Sequence, residues 1–307
     1  MISIAIIGAG IVGERIIRQI QQGKGVNIAA VYDEDPARLQ HLKESYNVPV
    51  SASLDEVLYS DADWVYIGTP PASHASIARK AADAGLNILS EKPLAHDVQA
   101  GEEMVASIHK NKVSSAMHFP LMYSAPVHEM AKRVKNGSIG DIRRIELQTV
   151  FPVWPRPWQQ TTWIGSRLEG GFVREVFPHY LQLIERIFGT IEITAHDVTY
   201  PDDPELCETD LTALGKVDGR VPLLLNGFSG VGQKELLQFK VYGSKGVLTL
   251  ENWSRLFLTE ADSDRIELLD FENVPGLFEE LKTMSTALVP FEEGLAVQRL
   301  IDQLVSE

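Results

Sequence analysis

The stretch "ISIAIIGAGIVGERIIRQIQQG", residues 2–23, constrains this chain more than any other. A short β-branched run leads into Gly8, Gly10 and Gly13, and Ile16, Ile17 and Ile20 then recur with helical spacing. The pattern predicts strand, tight turn, helix. In such a turn Gly8 permits the reversal, Gly10 lets the backbone approach a pyrophosphate, and Gly13 lets helix and strand pack closely. The helix start at Ile11 and Val12 supplies free N–H groups and the positive end of a dipole, which suits phosphate oxygens. A second strand, "VNIAAVYDEDP", ends in Asp33, 20 residues after Gly13, where an acid can hydrogen-bond an adenosine ribose. The composite predicts a dinucleotide site. Asp33, Glu34 and Asp35 stand in a row with no arginine beside them, so a ribose phosphate would be repelled. NAD is therefore favoured, with NADP as the alternative.

Strand and helix signals continue to alternate through "ARLQHLKESYN", "SLDEVLYS" (capped by Ser53), "ADWVYIGTPP", "SHASIARKAADAG" and "LNILSEKP". That alternation predicts a doubly wound parallel sheet, which binds ligands beyond the carboxyl ends of its strands. Gly68, Thr69, Pro70 and Pro71 close one strand, and Ser90, Glu91, Lys92 and Pro93 the next. Both tips are expected to open on the dinucleotide crevice, so Thr69, Pro70 and Glu91 are assigned to cofactor binding. Lys92, delivered by a strand end and stiffened by Pro93, is placed to face the nicotinamide, where a neighbouring charge can tune its proton affinity.

From about residue 140 the pattern changes to alternating strands separated by Gly and Asp turns, from "IRRIELQTVFPV" to "RLFLTEA". This predicts an α+β second domain on a large, open, mostly antiparallel sheet. The expected division is 1–118 for the dinucleotide domain and 119–307 for a substrate and oligomerisation domain. A free sheet face suggests a homodimer or homotetramer. With 28 basic against 42 acidic residues the net charge is −14, and no basic stripe is present to engage nucleic acid. A single cysteine, Cys207, excludes a disulfide within the chain and a cysteine-based metal cluster. "HEMAK" lacks the second histidine of a zinc helix, so no metal site is expected. No apolar run approaches a membrane span and none reads as a signal peptide. Cytoplasmic residence is expected.

The pieces "GAGIVG", "DWVYIGTPPASH", "AGLNILSEKPLA", "NGSIGDIRRIEL", "GGFVREVFPHYLQLI", "VYGSKGVLTL" and "FEEGLAVQRLID" span nearly the whole chain. In these the chain resembles the Gfo/Idh/MocA family of NAD(P)-dependent oxidoreductases. The resemblance implies an N-terminal Rossmann domain, a second domain whose sheet mediates oligomers, and Lys92 at the active centre before a cis peptide bond. It also places His74 beside the nicotinamide, a reading that competes with a role in capping the next helix.

In "GGFVREVFPHYLQLIERIFG", residues 170–189, Glu175 and His179 lie four apart and share a face on a continuous helix. The family carries an aspartate and an acid–base histidine at this spacing, so the resemblance assigns catalysis to His179 and Glu175. Histidine, with a reference pKa of about 6.5, exchanges protons near neutral pH. The chain departs from the family at Phe177, where a glycine is usual, and at Gln182, where an acid is usual. Those departures leave imine reduction open as an alternative to alcohol chemistry, and a non-catalytic dinucleotide-binding regulator as another. Pro178 allows either a helix beginning near it or a kink within the site. Upstream, "FPVWPRPWQQTTWIGSRLEGG" holds three tryptophans and two arginines in 21 residues. Trp158 and Trp163 could wall a substrate and Arg156, Arg167 or Arg174 grip an anion, or the loop could simply pack its own domain. His118 is a further substrate-side candidate. The expected enzyme moves a hydride between nicotinamide and a CH–OH or C=O group of a sugar-like, polyol or sugar-acid small molecule.

Overall fold

The computed structural model describes residues 1–159 and 161–307. The chain forms two compact units: Met1–His118 with Leu277–Gln298, and Phe119–Gly276 with Arg299–Glu307.

The first unit runs β1 (Ile2–Ile7), α1 (Ile11–Gln22), β2 (Val26–Tyr32), α2 (Pro36–Tyr46), α3 (Leu54–Leu58), β3 (Trp64–Ile67), α4 (Pro71–Asp83), β4 (Asn87–Ser90), α5 (Val98–Asn111) and β5 (Ser115–Met117). All five strands are parallel, in the order β2-β1-β3-β4-β5. β3 reads "WVYI" and is buried throughout, as a strand with helices on both faces must be. Asp35, Ser53 and Asp97 cap α2, α3 and α5 by accepting from the amides of Ala37, Glu56 and Ala100.

The second unit contains α6 (Ala125–Lys135), β6 (Ile142–Phe151), α7 (Phe172–Phe188), β7 (Ile191–Thr199), β8 (Asp210–Val217), β9 (Val221–Ser229), β10 (Leu236–Gly243), β11 (Gly246–Glu251), β12 (Arg255–Glu260) and β13 (Ile266–Leu268). Its eight strands form one sheet in the order β13-β12-β11-β10-β6-β9-β8-β7, antiparallel except where β6 meets β9. β8 alternates buried and exposed along its length, the signature of a sheet with one covered face. α7 supplies that cover. A Cβ on Gly227 of β9 would lie 2.6 Å from Phe172 and 3.0 Å from Phe177, so the missing side chain is what lets the helix settle.

After β13 come α8 (Leu277–Thr283) and α9 (Phe291–Leu304). The expected second domain of 119–307 is corrected here, because 277–298 belongs to the first unit. Its apolar residues Leu277, Leu281, Val289 and Phe291 are buried. Hydrogen bonds lock it in place: Met117 N–H donates to the Val289 carbonyl at 2.7 Å, and Phe291 N–H to Ser115 Oγ at 3.1 Å. No helix among the described residues is long and apolar enough to cross a membrane.

Candidate active site

The glycine turn is built as its spacing requires. Gly8 has φ +83°, and a Cβ there would lie 2.6 Å from the Gly68 carbonyl carbon and the Thr69 nitrogen. A Cβ on Gly13 would lie 2.3 Å from the Gly8 carbonyl oxygen. A Cβ on Gly10 would meet nothing within 4 Å, and this residue caps α1 with no side-chain hydrogen bond. The first amides of α1, including those of Ile11 and Val12, therefore face an open cradle. These residues fit the diphosphate of a dinucleotide.

Asp33 follows β2 and accepts from the Ala9 amide at 2.7 Å, tying the β2 tip to the turn. Its other oxygen accepts from the Asp35 amide at 3.0 Å. An arginine that sequence reasoning missed sits here. Arg38 of α2 donates to the carbonyls of Ala9 at 2.6 Å and Gly10 at 3.2 Å and pairs with the Glu14 carboxylate. Its charge is engaged by Glu14 and those carbonyls. No spacing rule picks it out, because it reaches the turn from one helical turn into α2.

The tips of β3, β4 and β5 converge on Glu91. Tyr66 Oη donates to Glu91 Oε1 at 2.9 Å, and His118 Nδ1 lies 2.5 Å from the same oxygen. Burial would raise the Glu91 carboxyl, but the charge and hydrogen bond of His118, the charge of Lys92 and the Tyr66 hydroxyl hold it down at about 2. Glu91 is thus a half-buried carboxylate beside Lys92, and the Lys92–Pro93 peptide is cis. Tyr66 was not anticipated; inside an apolar strand it is indistinguishable from core.

His74 differs from expectation. It is 0% exposed, its Nδ1 lies 3.1 and 3.2 Å from the Pro93 and Leu94 carbonyls, and its Nε2 lies 2.8 Å from that of Thr69. A side chain with no open surface cannot touch a cofactor. His74 instead ties the β3 tip to the turn that carries Lys92, and burial, outweighing those carbonyls, lowers its pKa.

In the second unit α7 runs unbroken from Phe172 to Phe188 with Pro178 inside it, so Glu175 and His179 do share one helix. His179 is packed edge-on by Phe119 at 5.8 Å and by Trp253 at 5.2 Å between ring centroids. Trp253 also stacks on Tyr180, and its φ of +74° is a left-handed conformation rare for a bulky residue. Phe119 and Trp253 were not foreseen, since neither motif nor periodicity marks them. Phe177 lies in the core against Phe172 and Gly227.

The start of α7 is held by Glu208, a residue absent from the sequence reading. Glu208 Oε1 accepts from the Val173 amide at 2.7 Å. Gly171, with φ +98°, makes the room, because a Cβ there would lie 2.2 Å from Glu208 Oε2. The carboxyl is 1% exposed, and burial pushes it up to about 7 against the Val173 amide and the Arg174 charge.

The tryptophan-rich loop mostly packs its own unit. Trp154 meets Phe151 and Phe172 edge-on, while Trp163 is half-buried and Trp158 is 54% exposed. Arg156 is buried over Phe151 and Trp154 and forks onto Glu235 at 3.0–3.1 Å. Arg167 lies 3.7 Å over the Tyr200 ring and pairs with Glu307 at 2.5 Å. The expected anion grip by these two is corrected: each guanidinium already has a carboxylate. Arg174 remains, near Glu208, with its buried Nε making no hydrogen bond among the described residues.

Residues 2–119 match the family described as "Oxidoreductase family, NAD-binding Rossmann fold", and residues 127–249 match the GFO/IDH/MocA C-terminal domain. An uncharacterized oxidoreductase of Streptococcus pneumoniae is 25% identical over 90% of this chain and 80% of its own length. The inositol 2-dehydrogenase of Rhizobium meliloti is 22% identical over 84% of this chain and 78% of its own. A levoglucosan dehydrogenase solved with NADH and levoglucosan superposes with a TM-score of 0.82 at 15% identity, covering 99% of this chain and 96% of that one. The glycine cradle, the Lys92 tip and the helix of His179 are therefore those of a chain that belongs to the Gfo/Idh/MocA family of NAD(P)-dependent oxidoreductases.

Proposed function

We propose that this enzyme oxidises a secondary alcohol, or reduces the matching ketone, on a neutral polyhydroxylated substrate of the sugar or polyol class, using NAD. The observation that carries the reading is the unbroken α7, which sets Glu175 and His179 on one face and packs His179 between two aromatic edges. When bound, the nicotinamide supplies the hydride acceptor or donor. His179 takes the hydroxyl proton or returns it, and Glu175 orients that imidazole or holds a neighbouring hydroxyl. Lys92 supplies a donor and a positive charge that stabilise developing negative charge on the substrate. The glycine turn with the amides of Ile11 and Val12 takes the diphosphate, and Asp33 takes the adenosine ribose. Thr69, Pro70 and Glu91 shape the nicotinamide side, and Trp158 and Trp163 are the candidate substrate walls.

Neutral substrates are favoured over sugar acids because Arg156 and Arg167 are already paired. The names of inositol 2-dehydrogenase, D-apiose dehydrogenase and levoglucosan dehydrogenase support the polyhydroxylated class. NAD is favoured over NADP because Arg38 is committed to Glu14 and two carbonyls, and Asp33 is the residue assigned to the ribose. The test is nicotinamide absorbance with NAD and NADP across polyols, sugars, sugar acids and imines. Turnover of a neutral polyol or sugar with NAD is expected; turnover confined to imines, or to NADP, would overturn the reading.

A further inference from the structure

His118 has a chemical setting that the assigned mechanism does not use. The Glu91 carboxylate can only accept a hydrogen bond, so the contact of 2.5 Å requires His118 Nδ1 to carry a proton. That fixes the tautomer and leaves Nε2 as the atom that exchanges protons. No described residue hydrogen-bonds Nε2, and His118 keeps 8% of its surface open. A carboxylate holding one imidazole nitrogen while the other stays available is the arrangement by which acid–base histidines are oriented.

The place of this pair in the sheet gives it a partner. Asp33 marks the adenosine end at the tip of β2, so a dinucleotide lying across the carboxyl ends puts its nicotinamide on the side of β3, β4 and β5. Glu91 directly follows β4 and His118 directly follows β5. The charged and titratable groups around the pair within this unit are Lys92 beside Glu91, the buried Tyr66 hydroxyl, His74 behind the Pro93 turn, and Arg15, whose charge acts on Tyr66.

We propose that Glu91 and His118 form a redox-linked proton site, in which His118 Nε2 binds one proton when the nicotinamide is reduced and releases it when the ring is oxidised. The charges balance. Reduction removes one positive charge from the ring, and protonation of the Nε2 lone pair restores one to the same crevice. The hydroxyl proton goes to His179, so the proton on His118 is taken from solvent and returns to solvent on reoxidation. This inference rests on the dinucleotide reading above.

The test uses the full chain with NAD+ and NADH alone, without substrate. The ratio of their dissociation constants is measured across pH by titration calorimetry, together with the protons taken up in buffers of different ionisation enthalpy. The wild-type protein is expected to favour NADH increasingly as pH falls, by up to roughly tenfold per pH unit across a one-proton step. His118→Asn, which keeps a donor for Glu91 but cannot titrate, is expected to flatten that step while still binding both dinucleotides. An unchanged step in His118→Asn would overturn the proposal. Nitrogen NMR of the wild-type imidazole gives a second readout that needs neither variant nor dinucleotide: Nδ1 is expected to stay protonated while Nε2 titrates, and the opposite tautomer would overturn it. If the wild-type protein binds neither dinucleotide, the cofactor reading falls instead, and the NMR tautomer still judges the pair.

Discussion

Glu91 shows how one side chain ties pH to stability in this fold. Burial pushes its carboxyl up, yet His118, Lys92 and Tyr66 together hold it at about 2, below the ordinary 4.5. A group depressed on folding stabilises the native state above its unfolded pKa and loses that contribution as pH falls through the folded one. For Glu91 the window is pH 4.5 down to about 2, and the full contribution is on the order of 3 kcal/mol. Urea unfolding at pH 5 and pH 3 checks this: Glu91→Gln should lose less stability over that interval than the wild-type protein. Asp33 gives a second residue-scale prediction. Asp33→Asn keeps an acceptor for the Ala9 amide while removing the charge, so the preference for NAD over NADP should fall about tenfold, as measured by the two dissociation constants. These residues also show how far sequence reaches. Lys92 and Asp33 were legible because strand tips and glycine spacing place them. Tyr66, Arg38 and Glu208 were not, because their partners lie 25, 24 to 29, and 35 residues away and only tertiary packing brings them together.

At the scale of elements, α7 is the part on which the proposed chemistry depends. Its amphipathic spacing was legible from Val173 to Phe188, and its passage through Pro178 was not, because a proline signals a helix boundary more often than a kink. Packing decides the matter: the buried face of Phe172, Val176, Phe177 and Leu181 holds the helix across the missing amide hydrogen bond. Its start depends on Glu208 and Gly171. Gly171→Ala would set a Cβ against the Glu208 carboxylate and strain a φ of +98°, so a loss of about 2–4 kcal/mol in stability is expected from denaturant unfolding. Glu208 is raised to about 7, so its contribution is full below pH 4.5 and is lost as pH rises to 7. Glu208→Gln should remove that decline, which unfolding at pH 5 and pH 8 would show.

For the molecule as a whole, the chain's return to its first unit was the feature that local pattern could not reveal. Residues 277–298 read as an ordinary continuation of the second domain, since nothing in their helical spacing says which core they bury into. Their burial predicts that residues 1–118 alone lack part of their own core. Exposing Leu277, Leu281, Val289 and Phe291 partners at roughly 1.5–3 kcal/mol per buried side chain removes several kcal/mol. Thermal melting of 1–118 should lie well below that of the intact chain. The two sheets themselves were legible, because parallel strands read as unbroken apolar runs and the antiparallel ones as alternation. The proposed function gives Lys92 and His179 each a part in the same reaction. The most direct measurement is kcat for the best NAD-dependent polyol or sugar in the wild-type protein, Lys92→Ala, His179→Ala and the double variant. The account predicts losses of about 10²–10⁴ in each single variant and little further loss in the double. Wild-type turnover in either single variant would contradict it.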